Sequence, residues 1–136
     1  MFKLDPRLER DTYVVGELPL CCVLLMNDSQ FPWLILVPRI ENAVEICQLN
    51  AKDRLQFWQE SHQVSEAMMA LFAPDKLNIA ALGNMVKQLH LHHVARYTND
   101  VAWPQPVWGK QPAMNYSAEQ ASVQLKRLRN KLNMEK

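Results

Sequence analysis

Two continuous apolar runs near the start of the chain are separated by a polar cluster. Residues 20–26 and 31–38 are mostly hydrophobic, and the cluster between them is Asn27-Asp28-Ser29-Gln30, residue types that favour turns. Two such runs around a turn predict an antiparallel hairpin that is buried, or nearly so, on both faces. Pro38 should end the second strand, because proline has no N–H to donate to a ladder.

Shorter elements are predicted on either side of this hairpin. Asp5-Pro6 favours a short helical turn, because proline suits the first position of a helix. Residues 13–15 predict a strand that stops at Gly16. Residues 43–47 predict a short edge strand after the hairpin.

A long helix is predicted over residues 51–72, which contain no glycine or proline. Asn50 is a good N-cap, and Asp53 follows three residues later. The segment ends at Ala73-Pro74-Asp75. One helical face is apolar and carries Phe57, Val64, Met68 and Leu71.

The end of the chain is predicted to be irregular and then helical. Residues 101–112 contain three prolines, but Trp103 and Trp108 indicate that the segment is packed. Ser117 and Gln120 form a capping-box pattern, which predicts a C-terminal helix over about 117–134.

Three of the four histidines fall in one predicted strand. Residues 76–82 predict a strand, Gly83-Asn84 a turn, and residues 86–97 a long strand. Because side chains alternate between the faces of a strand, Gln88, His90 and His92 are predicted to share one face. The opposite face would carry Leu89, Leu91 and His93. This pattern indicates a site built on an element of the core.

Composition limits the class of protein. The chain has 136 residues, of which 49% are hydrophobic and 21% charged, with a net charge of +1. These values fit one domain over residues 1–136, with a core over about 13–112. The elements predict an α+β fold with a mainly antiparallel five-stranded sheet, a long central helix and a C-terminal helix. A nucleic-acid partner is not expected, because there is no general basic field.

The expected compartment is the cytoplasm. The N-terminus lacks the pattern of a signal peptide, and no apolar run reaches the roughly 20 residues of a membrane span. We therefore expect no membrane partner. The three cysteines are an odd number without CxxC spacing and are expected to be reduced.

Chemistry alone gives three interpretations of His90 and His92. They could ligate a metal ion, although no third or fourth ligand stands at an obvious spacing. They could serve nucleophilic and acid–base catalysis, because imidazole attacks phosphorus well and a second histidine can donate to a phosphate oxygen or leaving group. They could also be satisfied polar residues on a strand. The catalytic interpretation is favoured, and no metal or other cofactor is expected.

Residues 83–92, Gly-Asn-Met-Val-Lys-Gln-Leu-His-Leu-His, resemble the signature of the histidine triad (HIT) superfamily. In that signature a Gly-Gln-Ser/Thr-Val segment leads into His-φ-His-φ-His-φ-φ, where φ is apolar. The order of elements over roughly residues 20–96 is also similar. Asp100, Trp103-Pro104 and Pro106-Val107-Trp108 resemble a bacterial branch with the form Gln-Leu-His-x-His. The resemblance implies a HIT-like fold, a homodimer and a nucleotide substrate.

The resemblance also implies roles for individual residues. His90 would be the nucleophile that attacks the α-phosphate, and His92 would lie beside the phosphate. A nucleotidyl-histidine intermediate would form, and water would release the nucleoside monophosphate. Gln88 takes the place of the first histidine. The other implied contacts are Asn27 at the ribose, Leu25 at the base, and Asn78, Gly83, Asn84 and Met85 around the phosphate.

The expected function is therefore a nucleotide hydrolase or phosphoramidase. It would cleave a phosphoanhydride or phosphoramidate bond, in a dinucleoside polyphosphate or an AMP-linked compound. Gln88, Asn84 and Met85 depart from the family's pattern. Two alternatives therefore stay open: a nucleotide-binding module with weak or no catalysis, and a structural or partner-binding domain.

Overall fold

The computed structural model describes residues 1–134 and, within them, five strands and three α-helices. The strands are β1 (Thr12–Glu17), β2 (Cys21–Met26), β3 (Trp33–Pro38), β4 (Lys76–Ala80) and β5 (Leu91–Arg96). The helices are α1 (Pro6–Asp11), α2 (Ala51–Phe72) and α3 (Ala118–Lys131). The strands form one antiparallel sheet in the order β1-β2-β3-β5-β4, so the predicted α+β fold is confirmed. In this part of the chain no helix combines the length and apolar character of a membrane span.

The helix α2 has the predicted bounds because both of its ends are capped. The Asn50 side chain accepts a hydrogen bond from the Asp53 amide at 2.8 Å. At the other end Ala73 adopts the left-handed conformation, with φ 42° and ψ 55°, directly before Pro74. Helix propensity and capping therefore agree over the whole segment.

The two faces of the sheet have different coverings. The face covered by α2, here called the helix face, buries Val23, Leu25, Leu34, Leu36, Leu91 and Ala95. The opposite face, here called the His92 face, buries Leu24, Trp33, Ile35, Val37 and Val94. Side chains of the N-terminal segment pack on this second cluster, namely Phe2, Leu4 and Leu8. The hairpin is thus buried on both sides, as its continuous apolar runs predict.

The strand β5 is shorter than predicted. It begins at Leu91, whereas the alternation of residues predicts a start at residue 86. Leu36 of β3 lies opposite Leu91, the first residue of β5. If the pairing continued, residue 89 would lie opposite Pro38, which has no N–H to donate to the ladder. The amide of Leu89 instead donates to the Ala43 carbonyl at 2.9 Å. Residues 86–90 therefore form an irregular segment that leads into the strand.

The predicted edge strand over residues 43–47 is not formed. Ile46–Gln48 form a short 3-10 turn, and the Gln48 side chain accepts from the amides of Val44 (3.3 Å) and Glu45 (2.9 Å). Because these amides are satisfied locally, they do not join a ladder. A second difference is that β1 continues through Gly16 with a bulge, where the sequence predicts its end.

A buried ion pair joins the end of β5 to the turn that follows it. The Arg96 Nε lies 2.8 Å from the Asp100 Oδ2, and the two side chains are 2% and 4% exposed. Asp100 also accepts from the amides of Tyr97, Ala102 and Trp103. Burial raises the pKa of Asp100, but the hydrogen bonds from Arg96 and these amides outweigh it and lower the pKa to about 2. The pair fixes the turn that leads into the irregular tryptophan-bearing segment.

The helix α3 begins with the predicted capping box between Ser117 and Gln120. Its basic residues are partly used in packing. Arg127 donates to the Leu71 carbonyl, and Arg129 donates to two carbonyls of β1. These bonds fasten the helix to the rest of the fold.

Candidate active site

His90 and His92 lie next to each other at the start of β5. Their ring centroids are 4.9 Å apart, with the ring planes at 72°. His90 precedes the strand and His92 is its second residue, and they are 7% and 5% exposed. Two nearly buried imidazoles are therefore held next to each other at the edge of the core.

Hydrogen bonding fixes the tautomer of His90. Its Nδ1 lies 2.7 Å from the backbone carbonyl oxygen of Gln88. Because a carbonyl only accepts, Nδ1 must carry the proton. In the neutral ring the Nε2 lone pair is then free, which is the form that a nucleophile needs.

Hydrogen bonding fixes the opposite tautomer in His92. The Trp33 indole Nε1–H donates to His92 Nδ1 at 3.0 Å. An indole nitrogen only donates, so Nδ1 must be unprotonated and the proton of the neutral ring resides on Nε2. Burial lowers the pKa of His92 to about 3, with smaller contributions from His90 and His93.

Two indoles pack around the His92 ring. The centroid of Trp33 lies 5.7 Å from that of His92, and the centroid of Trp108 lies 5.2 Å away. The two indoles also contact each other edge to face at 6.0 Å. The sequence pattern did not identify Trp33 as a site residue, and it identified Trp108 only as a sign that its segment is packed. The available signal was that a tryptophan inside a buried strand needs an acceptor for its N–H.

His93 points to the helix face, as alternation predicts. Its Nε2 lies 2.8 Å from the Ser61 hydroxyl of α2, and its Nδ1 lies 3.2 Å from the Leu91 carbonyl. Burial lowers the pKa of His93 to about 4. His93 is therefore a neutral residue of the core, and it is separated from His90 and His92 by the sheet.

The segment before His90 lines part of a small cavity and also contains a run of backbone amides without a partner in the described part of the fold. A cavity of about 40 Å³ is lined by His90, Gly83 and neighbouring residues. Gly83 has φ 74°, in the left-handed region that favours glycine. Within the described residues, no acceptor is bound to the backbone N–H groups of Gly83, Asn84, Met85 and Val86. Such a run of amides can bind an anion.

The side-chain amide of Gln88 is bound to the N-terminal segment rather than to His90 or His92. Its Oε1 accepts from the Asp5 amide and its Nε2 donates to the Lys3 carbonyl, both at 2.8 Å. The predicted alternation fails at this residue because it lies before β5 in the irregular segment. Gln88 contributes to the site through its backbone carbonyl, which holds His90.

Leu25 and the two predicted asparagines make other contacts within the fold. Leu25 belongs to the helix face, where it is buried against α2, whereas Leu24 lies on the His92 face. The Asn27 side chain accepts from the Tyr116 amide at 2.9 Å. Asn78 accepts from Arg96 at 3.0 Å.

Asn84 and Met85 lie in the loop beside the cavity and are exposed. The Met85 carbonyl accepts from the Arg7 side chain at 2.8 Å, which ties the loop to α1. Residues 1–134 contain no group of three or more His, Cys, Asp or Glu side chains arranged to hold a metal ion.

Comparison with known proteins gives close matches over most of the chain. A family model described as the HIT domain matches residues 7–99. A histidine triad protein from Marinobacter aquaeolei is 52% identical, with 98% of this chain and 97% of that chain covered and a TM-score of 0.95. One from Bradyrhizobium japonicum is 45% identical, with coverage of 96% and 98% and a TM-score of 0.94. One from Sinorhizobium meliloti is 40% identical, with 96% of each chain covered and a TM-score of 0.93. No curated protein matches the chain.

Proposed function

Because the chain belongs to the histidine triad (HIT) family, we propose that it is a nucleotide hydrolase that works through a nucleotidyl-histidine intermediate on His90. HIT proteins bind nucleotides and are generally nucleotide hydrolases or transferases. The observation that carries the proposal is the hydrogen bond from His90 Nδ1–H to the Gln88 carbonyl. It leaves the Nε2 lone pair free, beside a loop with unpaired amides.

The proposed first step is an in-line attack. The Nε2 lone pair of His90 forms a bond to the α-phosphorus, and the bond from that phosphorus to the leaving group breaks with its electron pair on the leaving group. The imidazole becomes positively charged, and the Gln88 carbonyl at 2.7 Å from Nδ1 stabilises that charge. The amides of residues 83–86 would bind the non-bridging phosphate oxygens.

The proposed second step is hydrolysis. A water oxygen attacks the phosphorus, the P–N bond breaks, and its electron pair returns to His90 Nε2. The water gives up a proton to solvent, and the nucleoside monophosphate leaves. His92, with a proton on Nε2, would donate a hydrogen bond to a phosphate oxygen in both steps.

The other site residues are proposed as contacts of the same nucleotide. Gly83, Asn84 and Met85 would bind the phosphate through the loop, and Asn78 and Asn27, whose Oδ1 atoms already accept hydrogen bonds, would contact the substrate through their Nδ2 donors. Leu25 lies on the helix face, and Leu24, its neighbour on the His92 face, is fully buried, so neither is proposed for the base-binding wall. A homodimer also stays a prediction, which sedimentation can test.

The experiment is turnover of diadenosine tetraphosphate with capture of the intermediate. The expected result is release of AMP, together with an AMP adduct on His90 seen by mass spectrometry after a neutral quench. His90→Ala should abolish both signals. His62→Ala is the matched control, because His62 is an exposed histidine of α2 far from the pair in sequence.

The same experiment separates the alternatives. A nucleotide-binding module would bind AMP in a titration but give neither turnover nor an adduct. A structural or partner-binding domain would show no nucleotide affinity. Turnover by His90→Ala at the wild-type rate would refute the proposed mechanism.

A further inference from the structure

The bond between Trp33 and His92 limits what His92 can do in catalysis. The donor is an indole Nε1–H, 3.0 Å from His92 Nδ1, and both side chains are buried. An indole cannot reverse its role and accept a proton or a hydrogen bond through this nitrogen. The interaction therefore holds one tautomer of His92, with the only N–H of the ring on Nε2.

A neutral imidazole in this state can donate a hydrogen bond but is a poor proton donor. Loss of the Nε2 proton would leave an imidazolate anion in a buried, largely aromatic environment made by Trp33 and Trp108. To become a proton donor, His92 would first need a second proton on Nδ1. That proton would have to displace the Trp33 N–H and leave it without an acceptor.

The groups around His92 do not replace the missing proton donor. Its histidine neighbours along the chain are His90, whose Nδ1–H is bound to a carbonyl, and His93, which points to the helix face. From β3 and the segment after β5 it is faced by two indoles. Within residues 1–134, the groups named here around His92 are therefore hydrogen-bond donors, and none of them is an acid that can transfer a proton to a leaving group.

We propose that Trp33 is a positioning residue that keeps His92 a hydrogen-bond donor, and that the site consequently selects substrates whose leaving group departs as a stable anion. This inference rests on the proposed function. Phosphoanhydrides meet the condition, because the bond from α-phosphorus to the bridging oxygen breaks and the electron pair stays on a phosphate oxygen without protonation. Phosphoramidates do not meet this condition, because their leaving group is an amine, which departs readily only after its nitrogen has gained a proton. Dinucleoside polyphosphates are thus the favoured class over AMP-linked amines.

The first test uses the unaltered protein and measures the dependence on the leaving group. General-acid catalysis typically contributes about 10²–10⁴-fold, so we expect kcat/KM for diadenosine tetraphosphate to exceed that for adenosine 5′-phosphoramidate by at least about 100-fold. Among aryl esters of AMP, the rate should rise steeply as the pKa of the phenol falls. Equal rates on the two bond types, or a flat dependence on the phenol, would overturn the proposal.

The second test observes the tautomer directly. Nitrogen-15 NMR of labelled histidine should show His92 with its proton on Nε2 in the unaltered protein. In Trp33→Phe the Nδ1 position loses its donor, so the tautomers should mix and the ratio of anhydride to phosphoramidate rates should fall. Trp58→Phe, on the exposed part of α2, is the control and should change neither. A proton on Nδ1 of His92 in the unaltered protein would overturn the assignment even if Trp33→Phe does not fold.

The two proposals fail in different ways. No turnover of either substrate class and no adduct on His90 would overturn the proposed function, and the selectivity with it. Rapid turnover of phosphoramidates through a His90 adduct would overturn only the selectivity.

Discussion

The side-chain amide of Gln88 is bound to the backbone at Asp5, 83 positions earlier in the chain, with its Oε1 2.8 Å from the Asp5 amide nitrogen. Its Nε2 donates to the Lys3 carbonyl at the same distance. The amide thus pairs with the N-terminal segment as a peptide group would in a ladder. Gln88, at the first triad position, therefore has two roles. Its side chain binds the N-terminal segment, and its backbone carbonyl accepts a hydrogen bond from His90.

Gln88→Ala should release the N-terminal segment. Loss of two hydrogen bonds at this partly buried position should lower the free energy of unfolding by about 1–2 kcal/mol. Amide exchange at Asp5 should accelerate, and residues 1–5 should become sensitive to protease. Gln88→Glu should give an intermediate result, because a carboxylate can accept from Asp5 but cannot donate to Lys3.

The control for this prediction is Gln105→Ala, which removes an exposed glutamine side chain in the irregular segment. It should leave exchange at Asp5 unchanged. Unchanged exchange at Asp5 in Gln88→Ala would show that the amide pair does not hold the segment.

The role of Gln88 shows where sequence patterns stop being sufficient. Alternation of apolar and polar residues continues through residues 86–97, but the length of a strand also depends on its neighbours. Pro38 limits the hydrogen-bond ladder between β3 and β5. Because Pro38 is 50 positions away from Gln88 in the sequence, the pattern around Gln88 does not reveal this limit. The bounds of α2 could be predicted because its caps and its apolar face are all local.

The position of Leu25 illustrates a second limit. Alternation within one strand assigns relative faces, but the faces of two strands are related only through their register. The register places Leu25 opposite Leu34, which lies opposite His93. Leu24 falls in the other row, with Ile35 and His92. A shift of one residue in the pairing register would exchange the faces of Leu24 and Leu25. No local sequence pattern in the hairpin specifies this register.

The stability of the protein should fall as the pH falls below about 6.5. Burial lowers the pKa of His92 to about 3 and that of His93 to about 4, whereas in the unfolded chain both have the ordinary value of 6.5. Between these values the unfolded state binds more protons than the folded state, so the free energy of unfolding decreases with falling pH. Each histidine contributes up to about 1.4 kcal/mol per pH unit. Below about 4 and 3 the respective contributions level off.

Urea unfolding at a series of pH values from 7 to 4 measures this dependence. His93→Gln can still accept from Ser61 but cannot titrate, so its slope should be about half that of the unaltered protein. The prediction is wrong if both proteins lose stability equally over this range.

Asp100→Asn should be strongly destabilising. The substitution leaves the Arg96 guanidinium buried without its counter-charge, and removing one partner of such a pair typically costs about 3–5 kcal/mol. Thermal or urea unfolding measures the loss. Glu66→Gln is the matched control, because the His62–Glu66 pair has the same i,i+4 spacing but side chains that are 73% and 72% exposed. Its effect should lie within about 1 kcal/mol, as for other surface pairs.

Gly83→Ala and Gly109→Ala form a matched pair that tests the loop beside His90. Both glycines have φ 74°, so alanine at either position meets the same left-handed strain, about 1–2 kcal/mol. Neither position is crowded: the nearest atom to a new Cβ at Gly83 is the Val86 carbonyl oxygen at 3.7 Å, and nothing lies within 4 Å at Gly109. The two variants should therefore lose similar stability. Only Gly83→Ala should raise KM for diadenosine tetraphosphate, because Gly83 lines the His90 cavity whereas Gly109 does not. An equal rise in KM in both variants, or a rise in neither, would show that the loop does not bind the phosphate. The proposed role of His90 would be unaffected, because the His90→Ala variant tests it separately.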